Sequence, residues 1–179
     1  MVATSIKDIF TAFQSHLKDH ADQLRCFRKY EFQAEGWLKA EWVALLDAMR
    51  RRGEIAGLDR EVSALGQRKI DLTITMKDGR HWIELKHWLI GSQKGQNWGP
   101  SAYIDALENE FEKFQAVKAG ARAWVAILCT ENPGDEAWST ALRRFNEAYG
   151  PWSLKSLDKP SRYPSEYFLG VLQAKGLEA

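Results

Sequence analysis

Cysteine, proline and long hydrophobic runs are all scarce in this sequence of 179 residues. Its two cysteines, Cys26 and Cys129, are too few for the disulfide framework of a small secreted domain. The longest apolar run, Ala123–Cys129, is far shorter than the roughly 20 residues that a transmembrane helix needs. The first residues also lack the basic and then apolar segments of a secretory signal. We therefore expect an intracellular, cytoplasmic protein with no membrane partner.

The sequence also lacks an excess of charge of either sign. With 25 basic and 24 acidic residues its formal net charge is +1, so no global positive field attracts nucleic acid. Basic residues do cluster locally, at 25–29 and at 50–52. Each cluster fits either a solvated helix end, where cations complement the helix dipole, or a phosphate contact. Net charge therefore does not identify the partner.

Apolar residues are numerous enough for a folded domain. They make up 45% of the sequence, and there are only five prolines, a composition typical of globular rather than disordered chains. No repeat, low-complexity segment or linker divides the sequence. We therefore predict a single domain over residues 1–179.

Apolar periodicity predicts an α+β fold with a mixed sheet. The predicted helices span about Ile6–Leu17, Glu31–Arg51, Ser101–Lys118 and Asp135–Tyr149. The predicted strands span Glu61–Leu65, Lys69–Met76, Arg80–Trp88, Arg122–Cys129 and Glu166–Leu172. Asp78-Gly79 is a hairpin signal, and the helix that follows the hairpin would cross over to a parallel strand. The expected core is an antiparallel three-stranded meander plus a crossover helix and a parallel strand, flanked by helices.

Three charged residues interrupt the apolar pattern of the predicted hairpin. Asp71 lies in its first strand, and Glu84 and Lys86 lie in its second. Because side chains alternate between the faces of a strand, Glu84 and Lys86 share a face, and the turn can bring Asp71 beside them. Two adjacent carboxylates repel unless one is protonated or a cation lies between them, and Mg²⁺ suits an all-oxygen site. The pattern indicates either metal-assisted phosphodiester hydrolysis or cross-strand ion pairs on a solvated sheet face.

This order of residues and elements resembles the PD-(D/E)xK nuclease superfamily, which has the restriction-endonuclease-like fold. The resemblance covers about residues 31–130, and Ile70 stands where the family has a proline. It implies that Asp71 and Glu84 bind the metal, Mg²⁺ or Mn²⁺, and that Lys86 is the motif lysine. Residues 1–30 are then an N-terminal helical extension of this nuclease-like core. Residues 131–179 add a C-terminal helix and a candidate edge strand.

The family also has a glutamate on an early helix, and three residues are candidates for it. Glu41 shares a helical strip with Trp37 and Leu45, so we expect it to face the protein interior. By the resemblance, Glu41 is then the fourth catalytic and metal-binding residue. Glu35 and Glu31 are the alternatives, and a surface position is the ordinary alternative for all three.

Four further residues are candidate substrate contacts. Lys94 and Trp98 lie in a glycine-rich loop that follows the Glu84 strand, and Lys113 and Gln115 lie in the crossover helix. Loops that follow a site-bearing strand often bind ligands. A plain connection and a solvated helix face would explain the same residues.

The resemblance implies a Mg²⁺- or Mn²⁺-dependent nuclease that hydrolyses phosphodiester bonds in DNA, in repair, recombination or defence against foreign DNA. One alternative is a catalytically inactive nuclease-fold module that binds nucleic acid or protein as a regulator. Another is an α+β interaction protein whose motif is coincidental. The sequence leaves open the form of the DNA and the choice between DNA and RNA. Because cutting both strands of a duplex requires two sites, a homodimer is one expectation. Delivery by a protein partner is another, because the sequence shows no obvious extra domain for sequence recognition.

Overall fold

Four helices and six strands are described in this chain. The computed structural model describes residues 5–63, 69–88, 100–115, 122–129, 155–156 and 168–173, with the positions 140, 143–144 and 147. The helices are α1 (Ile6–Asp19), α2 (Ala21–Tyr30), α3 (Glu35–Arg51) and α4 (Pro100–Gln115). The strands are β1 (Gly57–Ser63), β2 (Lys69–Met76), β3 (Gly79–Trp88), β4 (Arg122–Cys129), β5 (Lys155–Ser156) and β6 (Phe168–Gln173). The helix predicted at 135–149 lies largely outside the described residues.

The strands form one mixed sheet in the order β1-β2-β3-β4-β6-β5, which confirms the α+β class. β1, β2 and β3 pair antiparallel, so the predicted meander is present. β3 then pairs in parallel with β4, and α4 connects the two strands. The last strand, β6, was expected at the edge of the sheet, but it lies between β4 and β5. The edge strand on this side is β5.

The N-terminal helices differ from the prediction in number and in bounds. Ser5 begins α1 with a capping box formed with Asp8. α2 has no counterpart in the prediction, because it is strongly polar overall and Leu24 is its only buried residue. The predicted helix start at Glu31 is wrong, since Glu31 has a φ of +55° and ends α2, and α3 begins at Glu35. Among the described residues, no helix is both long enough and apolar enough to cross a membrane.

The hairpin of β2 and β3 turns at Lys77 and Asp78, one residue before the predicted Asp78-Gly79, and Gly79 is already paired in β3. Gly79 has a φ of +126°, a conformation that L side chains rarely adopt and that glycine tolerates. Pairing runs from Met76 opposite Gly79 to Leu72 opposite Ile83, which sets the register for the residues beyond. The strand predicted from Glu61 begins earlier, at Gly57, because its first residues pair with the end of β2.

Helices cover both faces of the sheet. On one face, α1, α2 and α3 form a core with side chains of β2, β3 and β4, in which the rings of Phe13 and Trp42 meet edge to face at 4.5 Å. On the other face, α4 packs on β3, where the rings of Tyr103 and Trp88 lie 5.1 Å apart. α1, predicted as an extension, is therefore part of the main core. The arrangement lets α3 and α4 approach β3 from opposite faces.

Candidate active site

Asp71 and Glu84 lie opposite each other where the β2–β3 ladder ends. The last paired residues are Leu72 and Ile83, so Asp71 and Glu84 occupy the next position in register. There, each carboxylate accepts a hydrogen bond from the backbone of the other strand. Leu85 N donates to Asp71 Oδ2 at 2.9 Å, and Asp71 N donates to Glu84 Oε2 at 3.3 Å. The structure therefore brings together the two carboxylates that the sequence pattern predicts, and Glu84 is only 2% exposed.

The ladder between β1 and β2 is interrupted at the same position. Pairing continues on either side, but Glu61, which falls opposite Asp71, is skipped. Glu61 has a φ of +48°, a left-handed conformation that costs an L-residue about 1–2 kcal/mol. Its side chain points to Lys69, with an Nζ–Oε2 distance of 3.3 Å. Asp71 therefore lies at a gap in both ladders, and its backbone N–H bonds to the Glu84 side chain.

Lys86 lies between Glu84 and a glutamate of helix α4. Its Nζ is 3.3 Å from Glu84 Oε1 and 2.8 Å from Glu110 Oε1. Burial alone would lower the pKa of Lys86, but the charges of Glu84 and Glu110 outweigh it and raise the pKa above its ordinary value. In this arrangement of charges Lys86 is therefore held as an ammonium group that can donate hydrogen bonds.

Helix α3 adds a second lysine and a second glutamate. Lys39 Nζ lies 2.8 Å from Asp71 Oδ1 and 2.8 Å from Glu35 Oε1. Burial lowers the pKa of Lys39, but its bonds to Asp71 and Glu35 reverse the direction and leave the pKa raised. The Glu35 carboxylate also contributes to the raised pKa of Lys86, so its charge acts on both lysines. Glu35, the alternative helix glutamate, thus interacts electrostatically with Lys86 and is linked to Asp71 through Lys39.

These side chains form one carboxylate cluster, made up of Glu35, Asp71, Glu84, Glu110, Lys39 and Lys86. Its four carboxylates and two ammonium groups give a formal charge of −2 when all are ionised. One divalent cation would neutralise that charge. Mg²⁺ is commonly held by one or two carboxylates, with water and substrate oxygens completing its shell. Asp71 and Glu84 therefore fit a hard divalent ion, which would displace the Lys39 ammonium from Asp71.

Glu41 lies in a different cluster. Its Oε2 is 2.7 Å from His16 Nε2 and 3.8 Å from His20 Nε2, both at the end of α1. The structure therefore does not bring Glu41 together with Asp71 and Glu84. Glu31 lies at the end of α2, outside α3 altogether.

The candidate substrate contacts fall outside the described part of the molecule. Lys94 and Trp98 are not among the described residues, and neither are the side chains of Lys113 and Gln115.

A different surface lies next to the carboxylate cluster. An open groove of about 580 Å³ runs along α3 and is lined by Lys39, Arg51 and Arg60 together with Asp47 and small or apolar residues of the helix.

Two members of the carboxylate cluster, Lys39 and Glu110, are absent from the sequence-based set. Glu110 lies three residues after buried Leu107 and seven after buried Tyr103, so it continues the inward-facing stripe of α4. From this spacing, Glu110 could have been predicted as an inward-facing residue of the crossover helix. Lys39 has only an ordinary i, i+4 pairing with Glu35, which does not distinguish it from a solvated helix pair.

Comparison with known proteins reveals no relative: no protein-family model matches the chain, and neither does any curated protein or solved structure. The chemistry of the cluster therefore has to be inferred from its geometry and charge.

Proposed function

We propose that the protein is a metal-dependent nuclease of the PD-(D/E)xK type that hydrolyses phosphodiester bonds in DNA. The observation that carries this proposal is the opposition of the Asp71 and Glu84 carboxylates across β2 and β3, with Lys86 bonded to Glu84. Two neighbouring carboxylates with little exposure to water repel each other unless cations compensate their charge, and here Lys39 and Lys86 do so only in part, because the cluster keeps a formal charge of −2. A carboxylate pair with a charged lysine beside it matches the needs of phosphoryl chemistry, in which negative charge must be bound and stabilised.

The arrangement of the sheet supports the same proposal. An antiparallel meander carries both carboxylates, α4 crosses over, and β4 joins in parallel. This is the order of elements that the resemblance to the restriction-endonuclease-like fold implies. Glu110 comes from the crossover helix and holds Lys86 at 2.8 Å, so the crossover also contributes to the site.

Each side chain of the cluster has a role that follows from its contacts. When bound at Asp71 and Glu84, Mg²⁺ or Mn²⁺ would supply positive charge to the phosphate and lower the pKa of a coordinated water. Lys86, kept protonated by Glu84 and Glu110, would stabilise the negative charge that develops on the phosphate. Glu35 would receive the Lys39 ammonium when that group leaves Asp71, because Lys39 already lies 2.8 Å from Glu35.

The α3 groove is the proposed path for the DNA backbone. Lys39 joins it to the carboxylate cluster, and Arg60 adds positive charge along it, as does Arg51, which is partly neutralised by Asp47 at 3.2 Å. Phosphate contacts by lysine and arginine supply most of the non-specific affinity for DNA. This local charge explains how a chain with a net charge of +1 would hold a polyanion.

The test is cleavage of duplex, single-stranded and branched DNA with Mg²⁺, with Mn²⁺ and with a chelator. Asp71→Asn, Glu84→Gln and Lys86→Met should each lower the rate by at least about 100-fold, as loss of one group that stabilises the transition state does. Asp59→Asn is the matched control. Asp59 lies on β1 with its side chain 58% exposed, paired only with Arg80 among the described residues, so its loss should leave cleavage unchanged.

The possible results separate the proposal from its alternatives. Cleavage by Asp71→Asn at the wild-type rate would refute the assigned site. Metal and DNA binding without cleavage of DNA or RNA would instead favour the inactive regulatory module. Comparing Glu35→Gln with Glu41→Gln identifies the helix glutamate: the geometry predicts slower cleavage for the Glu35 variant only.

A further inference from the structure

A second cluster with metal-binding side chains lies between α1 and α3, apart from the carboxylate cluster. It consists of His16, His20 and Glu41, whose candidate ligand atoms all lie within 4.8 Å of one another. His16 Nε2 is 2.7 Å and His20 Nε2 is 3.8 Å from Glu41 Oε2. Each of these side chains is about one quarter exposed, so an ion in solution can reach them. The two histidines are four residues apart and therefore lie on the same side of α1.

The ring of His20 is already oriented for binding through Nε2. Its Nδ1 lies 2.9 Å from the His16 carbonyl oxygen, which can only accept a hydrogen bond. Nδ1 therefore carries the hydrogen, and in the neutral ring Nε2 keeps its lone pair. A backbone bond of this kind at the second nitrogen is the usual way in which proteins fix the tautomer of a metal-binding histidine.

The spacing of the three ligand atoms suits a tetrahedral ion. Bonds of 2.0–2.1 Å to Zn²⁺ place tetrahedral ligand atoms about 3.3 Å apart. The observed distances of 2.7 Å and 3.8 Å to Glu41 lie on either side of that value, and the two histidine nitrogens are within 4.8 Å of each other, so binding requires the side chains to close around the ion. On binding, neutral His16 would change tautomer by exchange with solvent, with its hydrogen on Nδ1 instead of Nε2, so that the Nε2 lone pair becomes available to the metal.

We propose that His16, His20 and Glu41 form a binding site for Zn²⁺ or a similar transition metal, with water as the fourth ligand. Imidazole nitrogen selects such metals, whereas the all-oxygen carboxylate cluster favours Mg²⁺ or Mn²⁺. The ion links the end of α1 to the middle of α3, residues that are 25 positions apart in the sequence. It stabilises the packing of these helices and takes no part in phosphodiester hydrolysis, so the site does not depend on the proposed nuclease function.

The test is calorimetric titration of the metal-free full chain with Zn²⁺ alone. The background carries Cys26→Ser, because Cys26 is an exposed thiol that could bind the ion elsewhere. We expect one tightly bound ion per chain, and a rise in Tm of about 5–10 °C when free Zn²⁺ is 100 times the Kd of that ion. His81 and His87 are 0% and 6% exposed, so they are poor competitors for the ion.

Two conservative variants separate ligation from folding. In His16→Gln, the side-chain amide N–H can replace Nε2–H as the hydrogen-bond donor to Glu41. In His20→Asn, the side-chain amide N–H can replace Nδ1–H as the donor to the His16 carbonyl oxygen. Each should fold like the parent without metal and raise the Kd for Zn²⁺ at least about 100-fold, more than loss of an outer-shell partner does. The double variant Asp71→Asn/Glu84→Gln should keep the tightly bound Zn²⁺ with the Kd of the parent. No Zn²⁺ binding by the parent, or an unchanged Kd in both histidine variants, would overturn the proposal.

Discussion

Acidification should destabilise the protein through one buried histidine, His87. This side chain is 6% exposed, and burial lowers its pKa to about 4, with a small opposing contribution from the Glu35 charge. Its Nδ1 accepts a hydrogen bond of 3.0 Å from the backbone N–H of Ala34, the residue just before helix α3. Protonation at Nδ1 would break that bond and place a positive charge at the positive end of a helix dipole.

The size of the effect follows from the two pKa values. His87 has an ordinary pKa of 6.5 in the unfolded chain and about 4 in the fold, so the unfolded state binds more protons in between. The titration of His87 therefore has little effect on the free energy of unfolding above pH 6.5 and lowers it progressively as the pH falls towards 4. The full loss is about 3 kcal/mol, and about 2 kcal/mol of it should be reached by pH 5.

Urea unfolding at pH 7.5 and pH 5, in the presence of a chelator, measures this loss. The matched variant is His87→Asn, whose side-chain oxygen can accept the Ala34 N–H but cannot be protonated in this range. The wild type should lose about 2 kcal/mol more than the variant between the two pH values. Equal losses in the two proteins would refute the assignment, since the carboxylates that titrate are the same in both.

Three further predictions concern the site and the hairpin. Lys39→Met removes an ammonium that lies 2.8 Å from Asp71, where its attraction to the carboxylate is about 1.5 kcal/mol even in water. Because a bound ion no longer has to displace this group, calorimetry should show Mn²⁺ binding about tenfold tighter. Unchanged or weaker binding would contradict the proposed competition between Lys39 and the ion. Arg60→Gln should weaken DNA binding regardless of sequence and reduce the salt slope by about one unit, and an unchanged slope would exclude Arg60 from the DNA path. Trp124→Phe removes the indole N–H that bonds to buried His81 Nδ1 at 3.1 Å, so urea unfolding should show a loss of about 1–3 kcal/mol, and wild-type stability would show that this bond contributes little.

The shared face of Asp71 and Glu84 was predictable from the sequence because it depends only on local rules. Side chains alternate between the faces of a strand, and a two-residue turn at either Lys77-Asp78 or Asp78-Gly79 keeps Asp71 and Glu84 on one face. The exact partner was not predictable, because a turn at Asp78-Gly79 would pair Asp71 with Lys86, whereas the observed pairing of Met76 with Gly79 places Asp71 opposite Glu84. The same local rules predict the parallel pairing of β3 and β4 across a helix.

The choice between Glu35 and Glu41 could not be made from periodicity. Both residues are on α3, and the pattern of apolar residues indicates which sides are covered but not which element covers them. α1 brings His16 to the Glu41 side, whereas the Glu35 side meets β2 through Lys39. These contacts join residues far apart in the sequence and form only when the helices pack.

The interruption of strand pairing on both sides of Asp71 could also not be predicted from the sequence. Glu61 gives no sign that it will adopt a positive φ, because glutamate has no preference for that conformation. The side-chain bonds that replace the ladder depend on two strands meeting at one position. They are properties of the assembled sheet rather than of either strand.

The central claim is that Asp71 and Glu84 hold a divalent ion, and anomalous diffraction from a Mn²⁺-soaked crystal tests it most directly. We predict a peak about 2.2 Å from carboxylate oxygens of both residues, with Lys39 displaced from Asp71, and no such peak in Asp71→Asn. A map with no peak between Asp71 and Glu84, including one whose only peak lies at His16, His20 and Glu41, would contradict the account.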